Sequence, residues 1–394
     1  MRAPLIALLC VASAGNTCSI GAFPALLPEL GAAARLPDWG LGLVAGAFGF
    51  ARMVADLPVG LFIVRRLRAA LVAGPLAMAA GALLLASAAA FPTLLAGRAL
   101  MGVGHALNMV AGLTAILLFY GGRRLGAALN AFEFSAMIGL LGGAGLAAVL
   151  PRDFAWGTVL LLACAPQAVG LTLMPAVLAA LRPGGAAATA SPVSASAEAT
   201  APGSRALVPL AFVAGALVAI TYSSIEQFVI PLRGSREFGL ERPGLARLIM
   251  VMQAADILAL LPLGILSDRL DPARVLGGVA LTLAAGAVLV GFGGIGTVAL
   301  GCALFGLGMA GWMIPLSVLR RPTPLARVAW RTALYRVGVD GGLFLGPSVS
   351  GLIGAGRLGV LAATLAAALA IVGAVLLILS RAHRAALALA QTPP

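Results

Sequence analysis

The sequence predicts an all-α membrane protein of twelve transmembrane helices arranged as two pseudo-symmetric six-helix bundles. Three observations lead there: too few charges for a water-soluble surface, long uncharged runs, and a spacing of rare residues that occurs twice. Of the 394 residues, 61% are hydrophobic and 10% are charged, against roughly 25% charged in a soluble domain. Ala3 to Pro28, Ala69 to Gly97 and Val275 to Leu319 carry no charge at all. A helix needs roughly 20 apolar residues to cross the hydrocarbon layer. Within lipid every backbone amide must be satisfied by the chain itself, so helices or closed barrels are the only spanning structures. Barrel strands would alternate in polarity. These runs do not, so they are helices.

Twelve apolar segments follow in order, at about 4–28, 40–64, 69–90, 94–120, 125–150, 154–181, 207–230, 245–267, 274–294, 297–319, 332–356 and 358–380. Arg2, an apolar run and Ala12-Ser13-Ala14 imitate a secretory leader. The run continues to Pro28, so it is read as the first span. The net charge of +13 comes from 26 arginines and no lysine. Placing both termini in the cytoplasm puts sixteen of them inside and seven outside, as the positive-inside rule requires. The charge is therefore topological, and nucleic-acid binding is set aside. Cys10, Cys18, Cys164 and Cys302 lie in apolar runs without metal-ligand spacing. No phosphate-cradling Gly-Lys-Ser/Thr motif occurs, so no ATP-driven step is expected. No metal or cofactor is expected either.

Residues 182–206 break the pattern. Arg-Pro-Gly-Gly and an Ala/Ser/Thr/Pro tract offer nothing to pack, so this stretch reads as a flexible cytoplasmic linker. It divides an N-terminal six-helix bundle (1–181) from a C-terminal one (207–394). The two halves repeat. Pro58 and Gly60 match Pro262 and Gly264 at an offset of 204, as Gly74 matches Gly278. Gly102, Gly104 and Ala106 match Gly306, Gly308 and Ala310 at the same offset. Beyond a three-residue insertion the offset is 207, pairing Arg124 with Arg331, Glu133 with Asp340 and Gly139 with Gly346. Two repeated six-helix halves are the organisation of a secondary transporter, with its site near the midplane.

The loop motifs resemble the major facilitator superfamily. Gly264-Ile-Leu-Ser-Asp268-Arg269, followed by Arg274, is similar to its Gly-x-Leu-x-Asp-Arg signature. The first-half copy keeps Gly60, Arg65, Arg66 and Arg68 but has Val64 in place of the Asp that the family uses in a gating contact. Arg98-x-x-x-Gly102-x-Gly104-x-Ala106 resembles the family's fourth-helix motif, whose Arg is implicated in proton coupling. Gly342-x-x-x-Gly346-Pro347, in the eleventh segment, is similar to a pattern that family antiporters carry in the fifth. The fifth segment here has Gly139, Gly142, Gly143 and Gly145 but no Pro. The resemblance spans the whole chain and implies the family's fold, alternating access, and a gating set that takes in Arg52 and Asp56 beside these motif residues.

Eight charged side chains fall within helices: Asp56, Glu133, Glu226, Asp256 and Asp340, with Arg52, Arg98 and Arg336. Each costs about 2.5–3.5 kcal/mol at a helix centre facing lipid, so they line a wet cavity or pair. Arg52 with Asp56, and Arg336 with Asp340, are four apart on one helical face, where an internal ion pair is the structural alternative. Glu133 has no basic neighbour within a turn, and desolvation would let such an acid take up protons. The proton-coupling set is accordingly Glu133, Asp340, Arg98, His105 and Glu226, with His105 alternatively a plain helix contact. The solute-facing set is Asn108, Tyr222, Gln227, Gln253, Asp256 and Arg336. Five acids against three arginines leave a surplus suited to protons and to a neutral or cationic solute. The leading expectation is thus a proton-coupled exporter of a small organic compound, working as a monomer in a bacterial inner membrane. An uptake symporter or facilitator is the alternative, and a membrane-embedded enzyme the remote one.

Overall fold

The computed structural model describes residues 3–119, 125–181, 204–320 and 325–391. Most of the expected linker, 182–203, lies outside them, as do Arg123, Arg124 and Arg182. Among the described residues there are fourteen α-helices, one π-helical turn, one 3-10 turn and no strand.

These elements make twelve spans. Ala3–Ala34 (α1) is the first. Pro24 and Pro28 lie inside it, yet it runs past the expected end at Pro28, because Leu26, Leu27 and Leu30 are wholly buried and hold the last turns. Asp38–Ser87 (α2) has 50 residues, about 75 Å of helix, more than twice a bilayer's hydrocarbon thickness. It is two spans joined at Arg66, whose backbone leaves the helical region (φ −137°, ψ 38°). Phe91–Phe119 (α3) and Leu125–Val149 (α4) are spans four and five. Trp156–Cys164 (α5) and Pro166–Ala180 (α6) form the sixth, interrupted at Pro166, which has no N–H to continue the ladder.

Ser204–Ser224 (α7), the π turn Ile225–Val229 and Ile230–Arg236 (α8) form the seventh span, longer than the sequence suggested. Arg242–Arg269 (α9) and Pro272–Phe292 (α10) follow. Ile295–Met309 (α11) and Ile314–Arg320 (α12) share the tenth span, broken before Pro315. Leu325–Ile353 (α13) is the eleventh; Pro347 lies within it without ending it. Leu358–Gln391 (α14) is the twelfth. Ten of the twelve are long and apolar enough to cross a membrane on composition alone. The other two, the first part of α2 and α13, carry Arg52 and Asp56, and Arg331, Arg336 and Asp340, so polarity hides them.

By contacts the chain forms two compact units, Met1–Val193 with Glu226–Met250 and Pro347–Ala355, and Ser194–Ile225 with Val251–Gly346 and Gly356–Pro394. In the first unit α1 crosses α4 closely. A Cβ on Gly21 would strike Leu140, and one on Gly143 would strike Cys18, the small-residue contact by which membrane helices approach. Thr17 Oγ1 donates to the Ala136 carbonyl at 2.7 Å across this crossing. In the second unit α7 and α13 meet the same way: Gly342 and Gly346 abut Ala219, Ile220 and Ser223, and Ser223 Oγ donates to the Gly342 carbonyl at 3.0 Å. Both bonds join residues 119 apart. The 204 spacing recurs too: Gly102 rests on Phe48 and Ala51, and Gly306 on Met252 and Ala255.

Candidate functional site

Among the described residues Arg98 is the largest fully buried side chain, 1% exposed on α3. Its guanidinium carbon lies 3.7 Å from the ring centre of Phe23 on α1 and 4.8 Å from that of Phe48 on α2, and both π-systems attract the charge. Nη2 donates to Gln227 Oε1 at 3.3 Å. The Gln227 amide in turn donates to Glu226 Oε2 at 3.1 Å. Among the described residues Arg98 Nε and Nη1 have no hydrogen-bond partner. Three helices and the π turn thus converge on one cation, with Glu226, itself 2% exposed, as the acid whose charge acts on it. His105 stacks obliquely on Phe48 at 5.4 Å, and the Arg52 guanidinium stands 5.9 Å from the same ring.

The structure brings together Arg98, His105, Glu226, Gln227 and Arg52 from the sequence-derived sets. Asn108 is also buried, but its amide donates to Met78 Sδ at 3.2 Å and its carbonyl oxygen fills the space above Gly74, so it joins α2 to α3. Glu133 is half-buried on α4 and interacts with its surroundings, as does half-buried Asp56. In the second unit Asp340 is buried, 1% exposed, two residues before the Gly342 contact with α7; Arg336 lies a turn earlier, half-buried. Tyr222, Gln253 and Asp256 belong to the same unit, with Gln253 next to the Met252 on which Gly306 rests. Gly346 and Pro347 are buried, and Gly346 packs on Ser223. The loop-motif residues Arg65, Asp268 and Arg269 are exposed, Val64 is 84% exposed, and a Cβ on Gly60 or Gly264 would meet open space.

The sequence reading missed a set of ionic ties in the first unit. Arg236 bonds both carboxylate oxygens of Asp38, whose Oδ2 also accepts the Ala355 N–H at 2.8 Å. Arg242, 2% exposed, bonds Glu29 at 3.0 Å and the carbonyls of Phe154 and Pro151. Arg152 pairs with Glu241 at 2.6 Å. The Arg236 fork, with the Ala355 amide, holds the Asp38 carboxyl below the usual carboxylate range. In the sequence the arginines among them bear on topology alone, and the acids stand at the ends of apolar runs. The available signal was that Glu29 and Asp38 are two of only 13 acids in the chain. Phe23 and Phe48 were missed because single aromatics in apolar runs look like filler.

A twelve-span helical fold, internally repeated, with buried charges between its helices, defines a membrane-embedded secondary transporter. The family model of the Major Facilitator Superfamily matches residues 5–254, and the chain belongs to that superfamily. No curated protein sequence matches it. Solved structures share its fold at low identity. A mutant of the peptide transporter POT in complex with sulfate has 15% identity and a TM-score of 0.76, covering 95% of this chain and 94% of that one. A mutant of the nucleoside transporter NupG has 12% identity and a TM-score of 0.74, covering 95% and 99%. A bacterial homologue of the human lysosomal transporter Spinster, inward-facing and occupied, has 15% identity and a TM-score of 0.70, covering 97% and 95%. The protein is therefore a multi-pass transporter of a small solute, not an enzyme.

Proposed function

We propose that the protein is a proton-coupled carrier that exports a small neutral or cationic organic compound by alternating access. It sits as a monomer in a bacterial inner membrane with both termini cytoplasmic. The observation that carries the coupling is the Arg98–Gln227–Glu226 chain. A carboxyl group one amide away from a buried guanidinium alters the charge balance around that arginine when it gains or loses a proton, so protonation is tied to helix position. Glu226 is thereby the first proton carrier, ahead of Glu133 and Asp340. The arginine distribution supports the orientation. The excess of helix-borne acids over arginines favours a neutral or cationic solute.

The test is pH-driven solute flux in proteoliposomes, wild type against Glu226→Gln and Glu133→Gln at matched protein levels. Glu226→Gln should abolish accumulation against a gradient and keep downhill exchange. Unchanged pH-driven accumulation in Glu226→Gln would overturn this assignment and pass the role to Glu133 or Asp340. Running the assay in both directions over a compound library separates export from uptake.

A further inference from the structure

The seventh span contains the chain's single described π turn, Ile225–Val229, and Glu226 and Gln227 both lie in it. Its cause is local. Pro231 has no N–H to give the Gln227 carbonyl, and in an α-helix its ring would press on that carbonyl. Widening the turn removes the clash. The chain also passes from the second contact unit into the first between Ile225 and Glu226, at the start of this turn. A π turn holds one more residue than an α turn and is most often found at functional positions. Shifting or closing it moves one side of the helix past the other by one residue, about 100° of rotation.

We infer that the π turn is a one-residue register device and that Gln227 is its positioning residue. In the present register the Gln227 amide faces Arg98 and holds Glu226 at second hand. A one-residue shift puts position 226 where 227 now stands, so the carboxylate takes Arg98 directly and fills its open N–H groups. A charge-assisted bond is roughly twice as strong as a neutral one, so ionisation of Glu226 favours the shifted register and protonation the present one. The other charged or titratable groups gathered here are Arg52 and His105, both against Phe48, and Arg233 further along α8, which is paired with Glu237. The inference rests on Glu226 as proton carrier, but its structural test does not.

Two variants test it. Gln227→Glu places a carboxylate on Arg98 without any shift. The ratio of solute accumulation with and without a pH gradient should fall roughly tenfold, the scale of one charged hydrogen bond, while downhill exchange persists. Pro231→Ala restores the missing N–H, and a structure of that variant should show continuous α-helical bonding through 225–229 with the Glu226 carboxylate on Arg98. A wild-type pH profile in Gln227→Glu, or a retained π turn with Gln227 still on Arg98 in Pro231→Ala, overturns the inference. Failure of Glu226→Gln to alter coupling would remove the proton assignment instead, and the Pro231→Ala structure would still decide the register.

Discussion

Arg236 holds Asp38 with both terminal guanidinium nitrogens, Nη2 to Oδ1 at 2.7 Å and Nη1 to Oδ2 at 3.2 Å. The two residues are 198 positions apart, one from each half of the sequence, and Asp38 is also the first residue of α2, where the helix dipole favours an anion. Together with Glu29–Arg242 and Arg152–Glu241, this tie fastens residues of the seventh and eighth spans to the first-half helices within one compact unit.

The Asp38–Arg236 pair should be weak and replaceable. Its side chains are 26% and 48% exposed, so each single neutralisation should cost about 1 kcal/mol or less. The charge-swapped pair Asp38→Arg with Arg236→Asp should regain most of the flux that either single reversal loses. Flux recovering no better in the double variant would show that the pair does not act as a unit.

The pH dependence of that tie has a definite sign. The Asp38 carboxyl is held below its ordinary value by Arg236, so its stabilisation is fully present above the unfolded value. It is lost only as pH falls through the lower folded one. Asp38→Asn should therefore leave the shape of the flux profile unchanged from neutral pH down to the ordinary carboxylate range. A profile that moves in that interval would assign Asp38 a coupling role.

Arg242 should matter more to the fold than Arg236. It is almost fully buried and satisfies Glu29 and two carbonyls at once. Glu29 is 35% exposed, so the cost of losing the arginine comes mainly from the two carbonyls left unsatisfied, roughly 1–3 kcal/mol each. In detergent, Arg242→Ala should melt well below Arg236→Ala, and Arg242→Lys should recover little, since a single ammonium cannot reproduce the fork. Equal melting temperatures for the two alanine variants would contradict this.

The glycines should separate by their neighbours. Gly102→Val and Gly306→Val drive a side chain into the Phe48 and Met252 carbonyls, and overpacking of this kind costs about 1–3 kcal/mol or more. Gly60→Ala and Gly264→Ala meet open space within a helix and should stabilise by about 0.5–1 kcal/mol. Thermal unfolding in detergent reads both, and the two valine variants should fall together because their contacts repeat at the same offset.

The stretch 182–206 should tolerate loss of several residues with transport retained. Its composition offers no apolar face to pack. A shortened variant that inserts normally but carries no flux would give the segment a role beyond tethering.

Span count and repeat were legible in the sequence because each is a property of composition along the chain. Lipid forbids unpaired backbone, so an uncharged run of sufficient length has one available structure. The glycine spacing that signalled the repeat became the repeated contacts of Gly102 and Gly306. Breaks were less legible. Pro28 suggested an end where burial of the surrounding leucines keeps α1 going, and Pro231 gave no warning of a π turn.

The site divides along the same line. That Arg98 and Glu226 are buried and costly follows from their positions in apolar runs. Which acid Arg98 faces does not, because partners 128 residues apart are set by how three helices cross, and no local spacing encodes a crossing. The sequence by itself determined a membrane-spanning, twofold-repeated transporter with ionisable groups among its helices. Only the tertiary structure decided that Gln227 stands between Arg98 and Glu226, and that arginines counted for topology are tied to Asp38 and Glu29. Burial energy acts on each residue where it sits, whereas pairing depends on distances that exist only after the chain has packed.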